Sequence, residues 1–594
     1  MKISVSDYVI KFIEKQKIKN VFTVSGGGSI SLCDALQRSK KIKYVCCHHE
    51  QAASFAAEGY ARKNNSLGCA LVTTGPGGTN TVTGVSSAWI DSIPVIFISG
   101  QVFLDQTIKN SRKRQIGVQE IDMVSLVKPV TKYAVLVKDP SHIKYHLEKA
   151  LYLSQEGRPG PVWIDIPADI QSAKIEDSKL LSYKSISKKK IDIITLNQIK
   201  KIAKLLALSK RPIIHIGQGV RLSKAHKVFE KFIDKNKIPF VQTWNADDLI
   251  EASHPMNMGK PGAFGSRYSN FIIQNSDFYL SIGSRLPYMV TGYNSKDFAR
   301  AAKTKVMVDI DKFELVKKDM NIDYKICCDA KLFISQLSYY FKKQIQINKW
   351  LSYCNRLKKN FPILDKKNFN KKKYVNSYRF VNILSANLPN SSTIVTDMGF
   401  SFTTTHQAFM NKKNQSLFTN SGHAPMGWGL PAAVGAASDH KKFKEVICLT
   451  GEGGFQMNLQ ELATVMHNKI PLKIFIFNNG GYLTIKQTQI LGFNGRLMGS
   501  TKSSGIAFPD YSKIASSHDI DYFRIDNHKK LENKIKQILK INKPIICELM
   551  MDPNEEQIPK AINKKDNQGK SVPTVFEDMY PFLKKKIIME SKYE

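Results

Sequence analysis

Two apolar runs, Val446-Ile447-Cys448-Leu449 and Ile474-Phe475-Ile476-Phe477, flank a segment, Leu459-Gln460-Glu461-Leu462-Ala463-Thr464-Val465-Met466, whose apolar positions recur at helical spacing. The pattern predicts strand, glycine turn, helix, strand. A right-handed crossover then sets both strand ends on one edge of a parallel sheet, the edge where α/β sheets bind ligands. Farther up the chain, His48 to Arg62 reads as a strand running into an Ala-rich helix, and Met1 to Phe22 has an amphipathic helical pattern. Strand-like runs alternate with helical stretches in this way along the chain, which predicts an α/β protein of doubly wound parallel sheets.

At 594 residues the chain is long enough for several cores. Two polar stretches interrupt the alternation: Lys174 to Lys190 reads as a linker, and Lys342 to Lys373 as a second one holding a helix around Trp350-Leu351. They divide the chain into three domains, 1–172, 191–341 and 376–553, followed by a tail, 554–594. The formal net charge is +38. Such charge suits nucleic acid or phosphate-bearing ligands. The lysines are scattered over helix faces and linkers, however, and neither zinc-finger spacing nor aromatic-interleaved basic motifs occur, so a nucleic-acid-binding protein is the weaker reading. Nine cysteines include the adjacent pairs Cys46-Cys47 and Cys327-Cys328 and no C-x-x-C, which argues against a disulfide scaffold or zinc site and for a reducing cytoplasm. No apolar run is long enough to span a bilayer, and the N-terminus lacks the pattern of a signal peptide.

The two predicted strand ends carry Gly451-Glu452-Gly453-Gly454 and Asn478-Asn479-Gly480-Gly481. A hard divalent cation that shares a diphosphate wants a carboxylate, an amide oxygen, a carbonyl and phosphate oxygens. Glu452, Asn479 and the Gly481 carbonyl offer that set for magnesium, while Gly451, Gly453 and Gly454 let backbone N–H groups approach phosphate. A plain crossover with turn glycines is the competing reading. His48-His49-Glu50 invites a zinc reading, but adjacent histidines in an extended run face opposite ways.

At these residues the chain resembles the thiamine diphosphate enzymes, whose signature is Gly-Asp-Gly followed by Asn-Asn; Glu452 stands where Asp is usual, one methylene longer at the same charge. His48-His49-Glu50-Gln51-Ala52-Ala53 and Glu58-Gly59-Tyr60-Ala61-Arg62 resemble the acetohydroxyacid synthase branch. Thr74-Gly75-Pro76-Gly77-Gly78, Gly157-Arg158-Pro159-Gly160-Pro161, Thr396-Asp397-Met398-Gly399 and Met426-Gly427-Trp428-Gly429 extend the match in the family's order. The resemblance implies pyrimidine-binding, central and diphosphate-binding domains. It implies that Glu50 serves the aminopyrimidine, that Gln119, Gly27 and Gly28 lie beside the reacting atoms, and that Met426 bends the cofactor into a V. Gly399, Ala424, Tyr482 and Ile485 join the cofactor-binding set by the same resemblance. In the family the cofactor lies between two subunits, so a homodimer or homotetramer is implied.

Ile213 to Gly219, Ile282-Gly283-Ser284-Arg285 and Val308-Asp309-Ile310-Asp311 resemble segments that hold FAD, with Arg285 and Asp309 as binding residues; the sequence after Arg285 departs from the usual run and leaves FAD open. The resemblance implies decarboxylation of a 2-oxoacid, pyruvate foremost, and carboligation of the two-carbon unit to a carbonyl acceptor. Val118 and Thr488 stand where acetohydroxyacid synthases have aromatic residues. A wider, more polar acceptor pocket follows, with Thr488 and Gln489 offered to hydroxyls. Transfer to a nucleotide-linked ketosugar and simple decarboxylation are the alternatives.

Overall fold

The computed structural model describes residues 2–108, 111–184, 192–342, 345–364, 373–439, 445–565 and 568–593. Three parallel sheets succeed one another along the chain. The first runs Lys43–Cys46, Asn20–Thr23, Gly68–Val72, Val95–Gln101, Val162–Pro167, Tyr133–Leu136 in spatial order. The second runs Phe240–Gln242, Pro212–Ile216, Phe278–Ile282, Thr304–Asp309, Tyr324–Cys327. The third runs Ser416–Phe418, Thr393–Thr396, Val446–Gly451, Lys473–Asn478, Ile545–Met550, Asp521–Ile525. Helices cover both faces of each sheet, so the central strand Val95–Gln101 is buried at every residue and opens on an unbroken apolar run, Val95 to Ile98.

One apolar core crosses between the first and third domains. It joins Phe22, Phe97 and Trp163 to Trp428, Phe455 and Tyr511. At its centre the helix Glu50–Asn64 lies on the helix Gly429–Ala437, and both are rich in Ala and Gly. A Cβ on Gly59 would collide with the carbonyl of Ala432, and one on Gly435 with that of Ala56. The two backbones touch because neither carries side-chain bulk there.

Three stretches differ from the expectation. The strand Lys174–Glu176 opens the stretch read as a linker and pairs antiparallel with Lys2–Ser4, which closes the first domain on its own N-terminus. The helical pattern at the start of the chain therefore begins only at Val5, capped by Ser4, whose Oγ accepts the Asp7 N–H at 3.0 Å. The helix around Trp350 spans Asn348–Asn360, whereas residues 185–191, 343–344 and 365–372 lie outside the described residues. The tail is a strap on the central domain. Phe576 is buried in that domain's core, Arg267 donates to the carbonyls of Met579 and Pro581 at 2.9 and 2.8 Å, and Tyr353 donates to that of Ser591 at 2.7 Å.

Candidate active site

Glu452 opens a helix, Glu452–Met457, at the end of the strand Val446–Gly451, and Asn479 follows the neighbouring strand Lys473–Asn478. The crossover makes them neighbours. Glu452 Oε1 accepts the backbone N–H groups of Asn479, Gly480 and Gly481 at 2.9, 2.6 and 3.2 Å. Burial pushes this carboxyl up to about 7 against the pull of those N–H groups. Asn479 Oδ1 is buried with no hydrogen-bond partner among the described residues, an acceptor in want of a donor or a cation. A cavity of about 470 Å³ opens over Asn479, Gly480, Gly481, Lys486, Ser500 and Thr501. Among the described residues no three His, Cys, Asp or Glu side chains cluster as metal ligands. A cation here would rest on one carboxylate, one amide oxygen, a backbone carbonyl and the oxygens of its own ligand, the hard set that suits magnesium.

Around that point the fold gathers the other expected residues of the third domain. A Cβ on Gly453 would collide with the Tyr482 ring and lie 2.9 Å from Met426 Cε, so the three meet without spare room. A Cβ on Gly399, at φ 81°, would meet Thr484 Oγ1 at 4.0 Å and nothing nearer, and Ile485 stands 48% exposed on the helix Leu483–Gly492. Ala424 adopts φ 58°, held by its N–H on Asn420 Oδ1 at 3.2 Å. Gly451 has open space on its Cα side.

Asp397 is a functional residue the reading by residues passed over, although it stood in a quoted motif. Fully buried, it accepts from the N–H groups of Met398 and Gly427 at 2.7 and 3.1 Å and from Thr450 Oγ1 at 3.1 Å. It ties the Gly399 turn, the Met426 loop and the Glu452 strand together. Desolvation lifts its carboxyl to about 6, against those hydrogen bonds.

The second group lies on the first domain. Glu50 is the first residue of its helix, which His49 caps by accepting the Gln51 N–H at 3.0 Å. Asn80 Nδ2 holds Glu50 Oε2 at 2.9 Å, and Oε1 takes no hydrogen bond among the described residues, lying 3.7 Å from where a Cβ on Gly77 would stand. Gln119 sits at φ 63° with its carbonyl packed on Gly75, in the turn that also meets Glu50. The Gly28 N–H is taken by Thr73 Oγ1 at 3.1 Å, whereas a Cβ on Gly27 would meet nothing within 4 Å. Glu50 makes no hydrogen bond to the third domain among the described residues.

Between the first and central domains lies a cavity of about 1120 Å³, lined by Asp91, Arg158, Asn245, Arg285, Asp309 and Ser421 among others. Arg285 reaches Asp91 at 3.8 Å, and Asp309 accepts the Asp311 N–H at 2.9 Å at the end of its strand. A strand-end carboxylate, a guanidinium and the Gly219 and Gly283 turns form a donor set that fits a dinucleotide such as FAD.

On the acceptor side Val118 is 83% exposed. Thr488 is exposed and donates to its own helix at Thr484 O, 3.0 Å. Gln489 differs from expectation: Nε2 donates to Met498 O at 2.9 Å and Oε1 accepts from Ser500 Oγ at 2.7 Å, so its amide fastens a loop.

Comparison with known proteins matches three successive segments to one family. Residues 3–126 match "Thiamine pyrophosphate enzyme, N-terminal TPP binding domain", 199–337 the central domain and 397–549 the C-terminal TPP binding domain. The chain is 34% identical to a probable acetolactate synthase large subunit of Methanococcus aeolicus, over 92% of each chain. It is 30% identical to the acetolactate synthase large subunit of Lactococcus lactis, over 93% of each. The isozyme 1 large subunit of Escherichia coli is likewise 30% identical, over 93% of this chain and 95% of that one.

Proposed function

This chain belongs to the thiamine pyrophosphate enzymes, in their acetolactate synthase branch, and from that premise we propose that it transfers the two-carbon unit of pyruvate to a carbonyl acceptor larger than a second 2-oxoacid. The coarser activity, thiamine diphosphate-dependent decarboxylation and carboligation of a 2-oxoacid, follows from the family. Magnesium as the metal is supported by the orphaned Asn479 Oδ1 beside the buried Glu452 carboxyl. The larger acceptor is supported by one observation, that Val118 and Thr488 stand where acetohydroxyacid synthases have aromatic walls.

When bound, the thiazolium ring supplies the electron sink that lets carbon dioxide leave. The chain's own residues position and protonate. Asn80 fixes one oxygen of Glu50, so Oε1 is the atom that exchanges a proton with the aminopyrimidine. Met426, Gly453 and Tyr482 shape the floor, and Asp397 holds their loops in register. Glu452 and Asn479 set the depth of the diphosphate through the metal and make no bonds to substrate. Gln119, whose side-chain amide has no partner among the described residues, donates to the acceptor oxygen as charge develops there. We infer that the site is shared between two copies, as the resemblance to the family implies. FAD is the proposed occupant of the 1120 Å³ cavity, as a structural group, and the visible absorbance of the purified protein reads it out.

The test supplies pyruvate, magnesium and thiamine diphosphate, with and without nucleotide-linked ketosugars and other 2-oxoacids. Slow turnover of pyruvate alone, accelerated by a ketosugar that becomes branched, is expected. Rapid acetolactate formation from pyruvate alone would make the acceptor a second pyruvate, and release of free aldehyde would make the enzyme a decarboxylase.

A further inference from the structure

The strand Ile545–Met550 is apolar at every position but one, Glu548, which is 5% exposed and forms no ion pair among the described residues. A carboxylate in a buried strand is costly to desolvate, so its hydrogen bonds must account for it. Oε1 accepts from Asn478 Nδ2, and Oε2 from the Tyr522 hydroxyl. Glu548 thereby ties the strand that ends in Asn478 to the edge strand Asp521–Ile525, across its own.

Asn478 directly precedes Asn479, and both ends of its side-chain amide are used. Nδ2 donates to Glu548, and Oδ1 accepts the N–H of Gly480 at 3.1 Å. That same N–H reaches Glu452 Oε1 at 2.6 Å, beside the N–H groups of Asn479 and Gly481 at 2.9 and 3.2 Å. Gly480 stands at φ 77°, a conformation that few residues other than glycine adopt. The turn is therefore pinned by Glu452 on one side and by the Asn478 amide on the other. An amide can face either way, but an ionised carboxylate only accepts, so Glu548 draws Nδ2 to itself and leaves Oδ1 for Gly480. We propose that Glu548 is a positioning residue for the metal site: by orienting the Asn478 amide it holds the turn from Asn478 to Gly481 in the arrangement that seats Glu452 on its three N–H groups, and with it the position of Asn479. This rests on the magnesium reading above and adds the residue that sets its geometry from behind.

Hydrogen exchange of the metal-free protein reads the turn directly. In Glu548→Ala the amides of residues 479–481 should exchange at least about tenfold faster than in the wild type, while those of 473–477 change by less than about twofold. Glu548→Gln can still accept from Asn478 and bond Tyr522, so it stays within about threefold of the wild type. Magnesium is then titrated calorimetrically into each form in the presence of excess thiamine diphosphate. Glu548→Ala should bind it at least about tenfold more weakly and Glu548→Gln within about threefold of the wild type. Carbon dioxide release from pyruvate at saturating magnesium stays within about threefold in both, because Glu548 touches no reacting atom. Tyr522→Phe leaves the bond to Asn478 in place and gives a smaller weakening in the same direction, which keeps the assignment testable if Glu548→Ala does not fold. Equal exchange at 479–481 in wild type and Glu548→Ala, or Glu548→Gln as fast as Glu548→Ala, would overturn the assignment. Exchange in the expected order with no saturable magnesium binding by the wild type leaves the positioning role standing and removes the magnesium reading; magnesium binding of equal strength in all forms removes the positioning role alone.

Discussion

Asn479 is the residue on which the metal assignment turns. Its side-chain oxygen is buried with no partner among the described residues, and a cation is the simplest group that would satisfy it. Asn479→Ala should raise the magnesium concentration for half-maximal activity by about 10- to 100-fold while leaving the thermal transition of metal-free protein nearly unchanged. Asp165 supports a prediction of another kind. Burial lifts its carboxyl to about 7, against hydrogen bonds from Ser99 and Gln101, with Asp122 adding to the rise. A raised acid contributes stability that is complete below its unfolded value and is lost as pH climbs through the folded one. The thermal transition of the wild type should therefore fall relative to Asp165→Asn between about pH 4 and pH 7 and stay level above that. Glu452 and Asn479 were legible in the sequence because each directly follows an apolar run, so strand, turn and ligand sit together. The tie through Asp397 was not, since Gly427 and Thr450 stand 30 and 53 residues away. Gln489 misled because its partners, Met498 and Ser500, arrive on a loop that no local pattern announces.

The element that most directly couples the two halves is the pair of helices Glu50–Asn64 and Gly429–Ala437. One begins with Glu50, and the other starts three residues after Met426. Their crossing at Gly59 and Gly435 leaves no space for a methyl group. Gly435→Ala must separate the backbones, at a cost of about 1–3 kcal/mol. The expected outcome is a lower thermal transition together with weaker thiamine diphosphate binding, measured by fluorescence titration, because the shift moves the Met426 loop. Stable protein with unchanged cofactor affinity would show that the crossing is not tight. Alanine and glycine in these helices signalled close approach from sequence, but not which helix would be the partner. Strands were easier: fully buried parallel strands appear as continuous apolar runs, and the runs at 446–449 and 474–477 lie within observed strands. The tail was opaque for the opposite reason. Its hold on the central domain uses backbone carbonyls, the ring of Phe576 and the ion pair of Glu577 with Arg300, none of which forms a period.

Across the whole molecule a buried polar node links the three domains. Arg62 bonds Glu58 and Asp91 at 2.7 Å each; Asn420 and Trp428 reach Glu58 at 3.0 Å from the third domain, and Asn245 reaches Asp91 at 3.3 Å from the central one. The node fixes how the domains meet, and among the described residues no hydrogen bond joins Glu50 to Glu452 or Asn479; the resemblance to the family is the basis for reading the site as shared between copies. Mixing two inactive variants, Glu50→Gln and Glu452→Ala, tests this. If subunits exchange at random in a dimer, half the assemblies contain one intact site, and activity should recover to about a quarter of the wild type. No recovery after verified exchange would place both groups in one chain's site. The domain count was legible from the two polar stretches, whereas the node was not, because its members come from four separated segments. The central claim is that Glu50 runs the proton chemistry of a thiamine diphosphate-dependent decarboxylation. Its most direct test follows carbon dioxide released from pyruvate labelled at the carboxyl carbon, comparing wild type with Glu50→Gln, both saturated with magnesium and thiamine diphosphate. The account predicts release by the wild type and a loss of at least about a hundredfold in the variant; equal release by the two would contradict it.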